Sequence, residues 1–139
     1  MKPYFPTDYI SILERLSSVN PVAYCSNRNY IDGDVTFLSP YISRGVISTK
    51  DVLENFRNRG LSPTENEKFL QELAWRDYWQ RVWQEKNIDE DLKNEQQNVE
   101  HGDMIRAVNR ANAGISAIDA AIHQLYETGY MHNHLRMYV

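Results

Sequence analysis

A run of apolar and aromatic residues between Thr64 and Trp83 constrains the fold of this chain more than any other feature. Its members recur at the i, i+3 and i+4 spacing of a helix, and they are Phe69, Leu70, Leu73, Trp75, Tyr78, Trp79, Val82 and Trp83. Because they cover more than one face, the pattern predicts a helix that is buried centrally. The polar stretch from Asn87 to Glu100 ends this helix, and residues 88–100 are predicted to form a solvated loop or a surface helix.

Upstream of that helix, the start and stop signals predict two shorter ones. Thr7 is placed to cap a first helix that ends before Pro21, and Ser48 is placed to cap a second that stops at Gly60. Residues 18–47 lie between them and predict an ordered loop, with only a brief helical turn at residues 40–42.

Downstream, a short helix is expected over residues 104–111, followed by an amphipathic helix that Gly129 closes. The apolar face of this amphipathic helix is Ile115, Ile118, Ile122 and Leu125. A further helix is predicted to start at Tyr130 and to reach Val139 without a cap, which indicates a fragment. No alternating strand pattern with hairpin turns is present in the sequence, so the predicted fold class is all-α.

Composition narrows the class of protein. A chain of 139 residues has the size of one domain. Its 15 basic residues are outnumbered by 19 acidic ones, so the overall charge does not indicate a nucleic-acid-binding protein, although a local basic patch is still possible. Cys25 is the single cysteine, which excludes an intrachain disulfide and a cysteine-rich zinc site. With no signal-peptide pattern and no apolar run of membrane-spanning length, we expect a cytoplasmic protein without membrane association.

Hydroxyl side chains in the segment from Asp32 to Gly45 form the first candidate site. Thr36 and Ser39 precede a helical turn that begins near Pro40. Hydroxyl and backbone N–H donors at a helix start favour a phosphate. The simpler alternative is that these residues only cap a helix and form the turns of an ordinary loop.

The second candidate is one face of the long helix, formed by Glu72, Trp75, Arg76 and Trp79 at i, i+3, i+4 and i+7. Its two indoles offer a flat platform for a base or an aromatic cofactor, beside a Glu72–Arg76 ion pair. The alternative is a tryptophan cluster in the core with a surface salt bridge.

Asn133, Arg136 and Met137 form the third candidate, again at i, i+3 and i+4. The guanidinium and the amide suit a polar, ring-edge ligand, and the alternative is an ordinary surface face. His132 and His134 are two residues apart, so they cannot share a metal ion on a helix, and no metal site is predicted.

Taken in order along the chain, these segments resemble the FAD-binding helical domain of the photolyase and cryptochrome family. The resemblance covers nearly the whole chain from about residue 20, so residues 1–139 are expected to form one partial, truncated domain of this type. The matching strings are Arg28-Asn29-Tyr30, Thr36-Phe37-Leu38-Ser39-Pro40-Tyr41-Ile42, Gly45-Val46-Ile47-Ser48, Glu72-Leu73-Ala74-Trp75-Arg76-Asp77-Tyr78, Gly114-Ile115 with Ile118-Asp119, and Thr128-Gly129-Tyr130-Met131-His132-Asn133-His134-Leu135-Arg136-Met137.

The resemblance implies a role for ten residues. The residues implied to contact FAD are Tyr24, Thr36, Leu38 and Ser39 near the diphosphate, Arg76 between flavin and substrate, and Asn133 and Arg136 beside the isoalloxazine ring. The residues implied to line the cavity for a flipped pyrimidine dimer are Glu72, Trp75 and Met137. At two positions the sequence departs from the family's usual residues: Tyr130 stands where tryptophan is common, and His134 where arginine is common.

The implied activity is light-driven repair of cyclobutane pyrimidine dimers in DNA, with FAD as the electron donor. The α/β domain that carries an antenna pigment is absent from the sequence, so no antenna is expected, and the expected state is a monomer. Two alternatives stay open. One is a cryptochrome-type blue-light photoreceptor, and the other is an inactive helical fragment without FAD.

Overall fold

The computed structural model describes residues 3–30, 32–87, 90, 100 and 103–139. All regular secondary structure within these ranges is helical, which confirms the all-α prediction. The helices are α1 (Tyr9–Ser18), α2 (Pro21–Asn27), α3 (Ser39–Ser43), α4 (Thr49–Asn58), α5 (Glu67–Glu85), α6 (Asp103–Asn109) and α7 (Ser116–Thr128), followed by a 3-10 turn at Leu135–Met137. No helix among the described residues combines the length and the apolar character needed to cross a membrane.

The chain divides into two compact units. Residues Pro6–Lys93 form one, which we call the α5 unit, and residues Met1–Phe5 with Asn94–Val139 form the other, the α7 unit. The predicted loop or surface helix over residues 88–100 lies outside the described residues, apart from Glu90 and Glu100.

Local capping explains where α1 and α4 begin. The Ser48 hydroxyl accepts the Asp51 N–H at 3.1 Å and the Asp51 carboxylate accepts the Ser48 N–H at 2.7 Å, which confirms Ser48 as a cap. The prediction that Thr7 caps α1 is wrong. The cap is Asp8, whose carboxylate accepts the Ser11 N–H at 2.8 Å, because a capping side chain reaches the N–H three residues ahead and Thr7 stands one residue too early.

Helix α2 lies where the sequence predicted a loop. Pro21 occupies its first helical position, and the Asn20 side chain caps it by accepting the Ala23 N–H at 3.1 Å. Proline suits this position because its fixed φ is helical and its missing N–H would have no intrahelical partner. Pro21 therefore starts a helix instead of merely following one.

The core of the α5 unit forms where α2 and α4 pack on α5. Phe69 is buried there, with its ring stacked against Phe56 at 6.0 Å between centroids and edge-on to Tyr24 at 5.5 Å. Further buried residues of the unit are Ile12, Leu16, Val19, Leu38, Tyr41, Ile47 and Val52.

The predicted central burial of α5 is wrong. Phe69 is its one buried residue, whereas Trp75, Tyr78, Trp79 and Trp83 are each more than half exposed. Aromatic contacts from α2 and α4 meet the helix at Phe69, in its first turn, and the indoles lie further along. Periodicity records how much apolar surface a helix carries, but not which elements are present to cover it.

The α7 unit has a small core of Ala121, Ile122 and Met131. Gly129 ends α7 with a left-handed φ of 70°, and its N–H donates to the Leu125 carbonyl at 2.8 Å, which confirms the predicted stop. The helix predicted from Tyr130 is wrong: the chain leaves Gly129 without helical structure, and only Leu135–Met137 form a 3-10 turn. Tyr130 and Met131 lie in that irregular segment and are buried.

Candidate functional site

The loop from Thr36 to Ser39 has an unusual and well-defined backbone. Phe37 has a φ of 52°, in the left-handed region that non-glycine residues seldom adopt, and the Thr36 hydroxyl accepts the Leu38 N–H at 3.3 Å. The Leu38 side chain is buried, with 2% of its surface exposed. A ligand could therefore contact Leu38 only through its backbone. Such strained loops occur at ligand clamps, where the surrounding structure holds them in place.

Helix α3 follows this loop and is fixed by two side-chain contacts. The buried Tyr41 hydroxyl donates to the Pro6 carbonyl at 2.9 Å, and Nη2 of Arg76 donates to the Ser43 hydroxyl at 2.7 Å. A helix of five residues is too short to be stable alone, so these tertiary contacts hold it in place. The second contact connects the end of α3, the helix that follows this loop, to α5.

Glu72 on α5 pairs with Arg28 at the end of α2, and not with Arg76 as the local spacing predicted. Nη2 of Arg28 lies 3.4 Å from Oε1 of Glu72. The guanidinium carbon of Arg28 also lies 5.6 Å from the ring centroid of Tyr24, and its Nη1 donates to the Cys25 carbonyl at 3.4 Å. The partner that spacing assigned to Glu72 is thus replaced by one from another helix.

The two indoles of the predicted platform lie side by side on α5. The rings of Trp75 and Trp79 are 6.3 Å apart at 23° to each other, and Tyr78 meets both edge-on at 5.6 and 5.2 Å. Trp75 is 53% exposed and Trp79 56%. The alternative of a buried tryptophan cluster is therefore wrong, and the aromatic surface is open to a planar ligand.

Asn133, Arg136 and Met137 lie together in the last turn of the α7 unit, and all three side chains are exposed. Nε of Arg136 donates to the Met131 carbonyl at 3.1 Å, which holds the guanidinium against its own segment. Burial raises the pKa of the nearby Tyr130 hydroxyl above its usual value, and the positive charge of Arg136 partly opposes that rise.

The ten predicted residues are thus distributed between the two units. The α5 unit contains Tyr24, Thr36, Leu38, Ser39, Glu72, Trp75 and Arg76, and the α7 unit contains Asn133, Arg136 and Met137. Within the α5 unit, hydrogen bonds and an ion pair join α2, α3 and α5 around these residues. In the described part of the chain, no group of three or more metal-ligating side chains is present.

Sequence reasoning missed two connecting residues. Arg28 is separated from Glu72 by 44 positions, and Ser43 from Arg76 by 33. Spacing along one helix reveals neighbours three or four residues apart, so it carries no signal for either pair. The string that begins with Arg28 was noted only as part of the family resemblance.

Comparison with known proteins identifies the family. The family model described as the FAD binding domain of DNA photolyase matches residues 69–139, about half of the chain. The chain belongs to this photolyase family. FAD is the cofactor for which the family's domain is named, and this confirms the expectation of FAD from the sequence.

Individual relatives of the photolyase family agree with the match. The chain is 33% identical over 123 residues to a deoxyribodipyrimidine photo-lyase of Alkalihalophilus pseudofirmus, which covers 82% of this chain and 25% of the relative. It is 31% identical to the Neurospora crassa enzyme of that name, with 73% and 18% covered, and 28% identical to that of Buchnera aphidicola, with 98% and 31% covered. The chain thus spans less than a third of the length of these relatives. No solved structure gives a significant match.

The donors of the α5 unit fit the anionic part of FAD. Hydroxyls such as those of Thr36 and Ser39, and guanidinium groups such as that of Arg76, are of the kind that bind phosphate oxygens in proteins. The Arg76–Ser43 hydrogen bond brings the guanidinium to the helix that Ser39 begins. This donor set is compatible with the cofactor of the photolyase family.

Proposed function

We propose that the full-length protein is a DNA photolyase that uses FAD and light to split cyclobutane pyrimidine dimers. The observation that carries the proposal is the face of α5 on which Glu72 and Trp75 are exposed beside the half-buried Arg76. This face offers stacking surface, a carboxylate and a cation within one turn of helix. Membership of the photolyase family and the names of the relatives support the assignment.

Recognition of the lesion is assigned to Trp75, Glu72 and Met137. The exposed Trp75 ring stacks on one base of the dimer, and the Glu72 carboxylate accepts a hydrogen bond from an N–H at the amide edge of the dimer. A stacked dimer cannot reach a flavin inside a protein, so the lesion must be extruded from the duplex. The 66% exposed Met137 contributes an adaptable apolar contact.

Binding of the cofactor is assigned to seven residues. Thr36 already accepts the Leu38 N–H, which leaves its own O–H for a phosphate oxygen, and Ser39 supplies a second hydroxyl. The full set is Tyr24, Thr36, Leu38 and Ser39 for the diphosphate, and Arg76, Asn133 and Arg136 for the flavin. When bound and reduced, FAD supplies the electron that light transfers to the dimer, while the protein binds and orients both partners.

The proposal is tested with the full-length protein carrying reduced FAD and a DNA oligonucleotide with one thymine dimer. We expect repair under blue light and none in the dark. Trp75→Ala should weaken binding of the damaged oligonucleotide by about 1–3 kcal/mol, the usual contribution of one stacked base. Trp83→Ala is the matched control, since Trp83 is equally exposed but lies two turns further along α5.

Other results would favour the alternatives. Dimers that stay intact in the presence of reduced, illuminated, FAD-loaded protein would contradict repair and favour a photoreceptor. A colourless protein that cannot be reconstituted with FAD would contradict both, and favour a helical protein without cofactor. Equal losses for Trp75→Ala and Trp83→Ala would contradict the role assigned to Trp75.

A further inference from the structure

Ser43 is the last residue of α3, and its hydroxyl is part of a continuous hydrogen-bonded chain. The hydroxyl donates to the Ser39 carbonyl at 2.7 Å and accepts from Nη2 of Arg76, also at 2.7 Å. A serine hydroxyl has a single hydrogen to donate. Once that hydrogen points at Ser39, the oxygen lone pairs face away from it and are oriented to accept from Arg76.

This chain of bonds fixes the guanidinium without neutralising it. Arginine has many rotamers, and a hydrogen bond to a fixed acceptor selects among them. A carboxylate in the place of Ser43 would also select a rotamer, but it would cancel the positive charge. Because a hydroxyl has no net charge, its bond orients Arg76 without itself cancelling the positive charge.

The chain of bonds also connects Arg76 to the loop assigned to the diphosphate. Ser43 and Ser39 are the two ends of α3, so the bond between them spans the whole helix. The Ser39 end of the Thr36–Ser39 loop is therefore joined to the guanidinium through one side chain. The hydrogen bonds in a network of this kind strengthen one another, because each bond polarises the next.

We infer that Ser43 is a positioning residue, which holds the Arg76 guanidinium in the orientation that the reduced flavin requires and couples it to the Ser39 end of the diphosphate loop. This inference rests on the proposed function, because it takes FAD as the ligand of Arg76. It adds a residue that the family resemblance did not assign to the site.

The first experiment uses the purified FAD-bound protein and measures the FAD dissociation constant and the reduction potential of the bound flavin. Ser43→Ala should weaken FAD binding about 3- to 10-fold, the equivalent of one lost hydrogen bond. It should also lower the flavin potential, because a mobile cation stabilises the anionic reduced flavin less well. Ser43→Thr keeps the hydroxyl and should restore both properties.

A double-mutant cycle separates positioning from a merely structural role. If Ser43 acts through Arg76, adding Ser43→Ala to Arg76→Ala should have little further effect on the potential. Ser26→Ala is the matched control, because the Ser26 hydroxyl also donates to a carbonyl of its own helix, at 2.9 Å, but accepts from no arginine among the described residues. The control should leave the dissociation constant and the potential unchanged.

The outcomes distinguish this inference from the proposed function. Wild-type protein that binds FAD, with a Ser43→Ala variant of unchanged affinity and potential, overturns the positioning role alone. Fully additive effects of Ser43→Ala and Arg76→Ala on the potential also overturn it. Wild-type protein that binds no FAD overturns the proposed function, and with it any role of Ser43 toward the flavin.

Discussion

Arg28 and Glu72 join α2 to α5, with Nη2 of the arginine 3.4 Å from Oε1 of the glutamate. The arginine side chain is 21% exposed and the glutamate side chain 44%, so the pair lies partly within the protein. Together with the Tyr24–Phe69 ring contact one turn away, it fixes the angle between the two helices. The carboxylate assigned to the lesion is thus oriented by a residue that is far away in sequence.

Loss of the Arg28–Glu72 pair should destabilise the α5 unit modestly. We expect a coupling free energy of about 0.5–1 kcal/mol from a double-mutant cycle with Arg28→Ala and Glu72→Ala, measured by urea unfolding, because solvent screens half-exposed charges. The control cycle uses Lys50 and Glu54 on α4, whose side chains are 79% and 54% exposed, and should give a smaller value. Equal coupling in the two cycles would contradict a structural role for Arg28.

Removal of the α1 cap should lower the melting temperature. Asp8→Ala removes the acceptor of the Ser11 N–H, whereas Thr7→Ala should have almost no effect, because Asp8 and not Thr7 caps the helix. Thermal unfolding of both variants at pH 7 checks this expectation. A larger effect from Thr7→Ala would show that the cap has been assigned to the wrong residue.

The same cap predicts a pH dependence. The Ser11 N–H holds the pKa of Asp8 below its ordinary value of 3.8. A carboxylate whose pKa is lowered by folding stabilises the folded state above pH 3.8, and this contribution is lost as the pH falls through the lowered pKa. The difference in melting temperature between wild type and Asp8→Ala should therefore shrink in acid. A constant difference down to about pH 2 would contradict the linkage.

Gly33 should tolerate no side chain. A Cβ at this position would overlap the Asn27 carbonyl oxygen, which belongs to the backbone and cannot move aside cheaply. We expect Gly33→Ala to cost about 2–4 kcal/mol of unfolding free energy, measured with urea. Gly60→Ala is the control: its φ of 66° is unfavourable, but a Cβ there would meet open space, so about 1 kcal/mol is expected. A smaller loss at Gly33 than at Gly60 would contradict the close approach.

Tyr130 should make the protein sensitive to alkali. Burial raises the pKa of its hydroxyl above the ordinary value of 10.0. The unfolded chain then loses this proton before the folded one does, so the contribution of Tyr130 is complete below about pH 10 and is lost as the pH rises through the folded pKa. Urea unfolding between about pH 8 and 11 should show wild type losing stability relative to Tyr130→Phe. Parallel pH profiles for the two proteins would contradict this expectation.

Local signals predicted those helix boundaries that depend on neighbouring residues. Ser48 and Gly129 act within their own turns, by capping and by a left-handed φ, so the sequence alone is sufficient to place them. Pro21 was misinterpreted because a proline is compatible both with the residue after one helix and with the first residue of the next. Asn20 before it was the signal that decides between these cases.

Interactions between distant segments could not be predicted from spacing. The family resemblance named Glu72 and Arg76, but the residues that orient them, Arg28 and Ser43, come from other helices. The sequence left Trp75 open between a ligand platform and a core cluster for a related reason. An apolar stripe has the same periodicity whether another helix covers it or water does.

The exposure of the α5 indoles has an optical consequence. The sequence contains three tryptophans, Trp75, Trp79 and Trp83. All of them lie on α5, and more than half of the surface of each is exposed to solvent. Indole emission depends on the polarity around the ring, and the tryptophan fluorescence of this chain originates from one helix surface. A molecule that binds on that surface will change the wavelength or the intensity of the tryptophan emission. Binding to this chain can therefore be followed without an added dye.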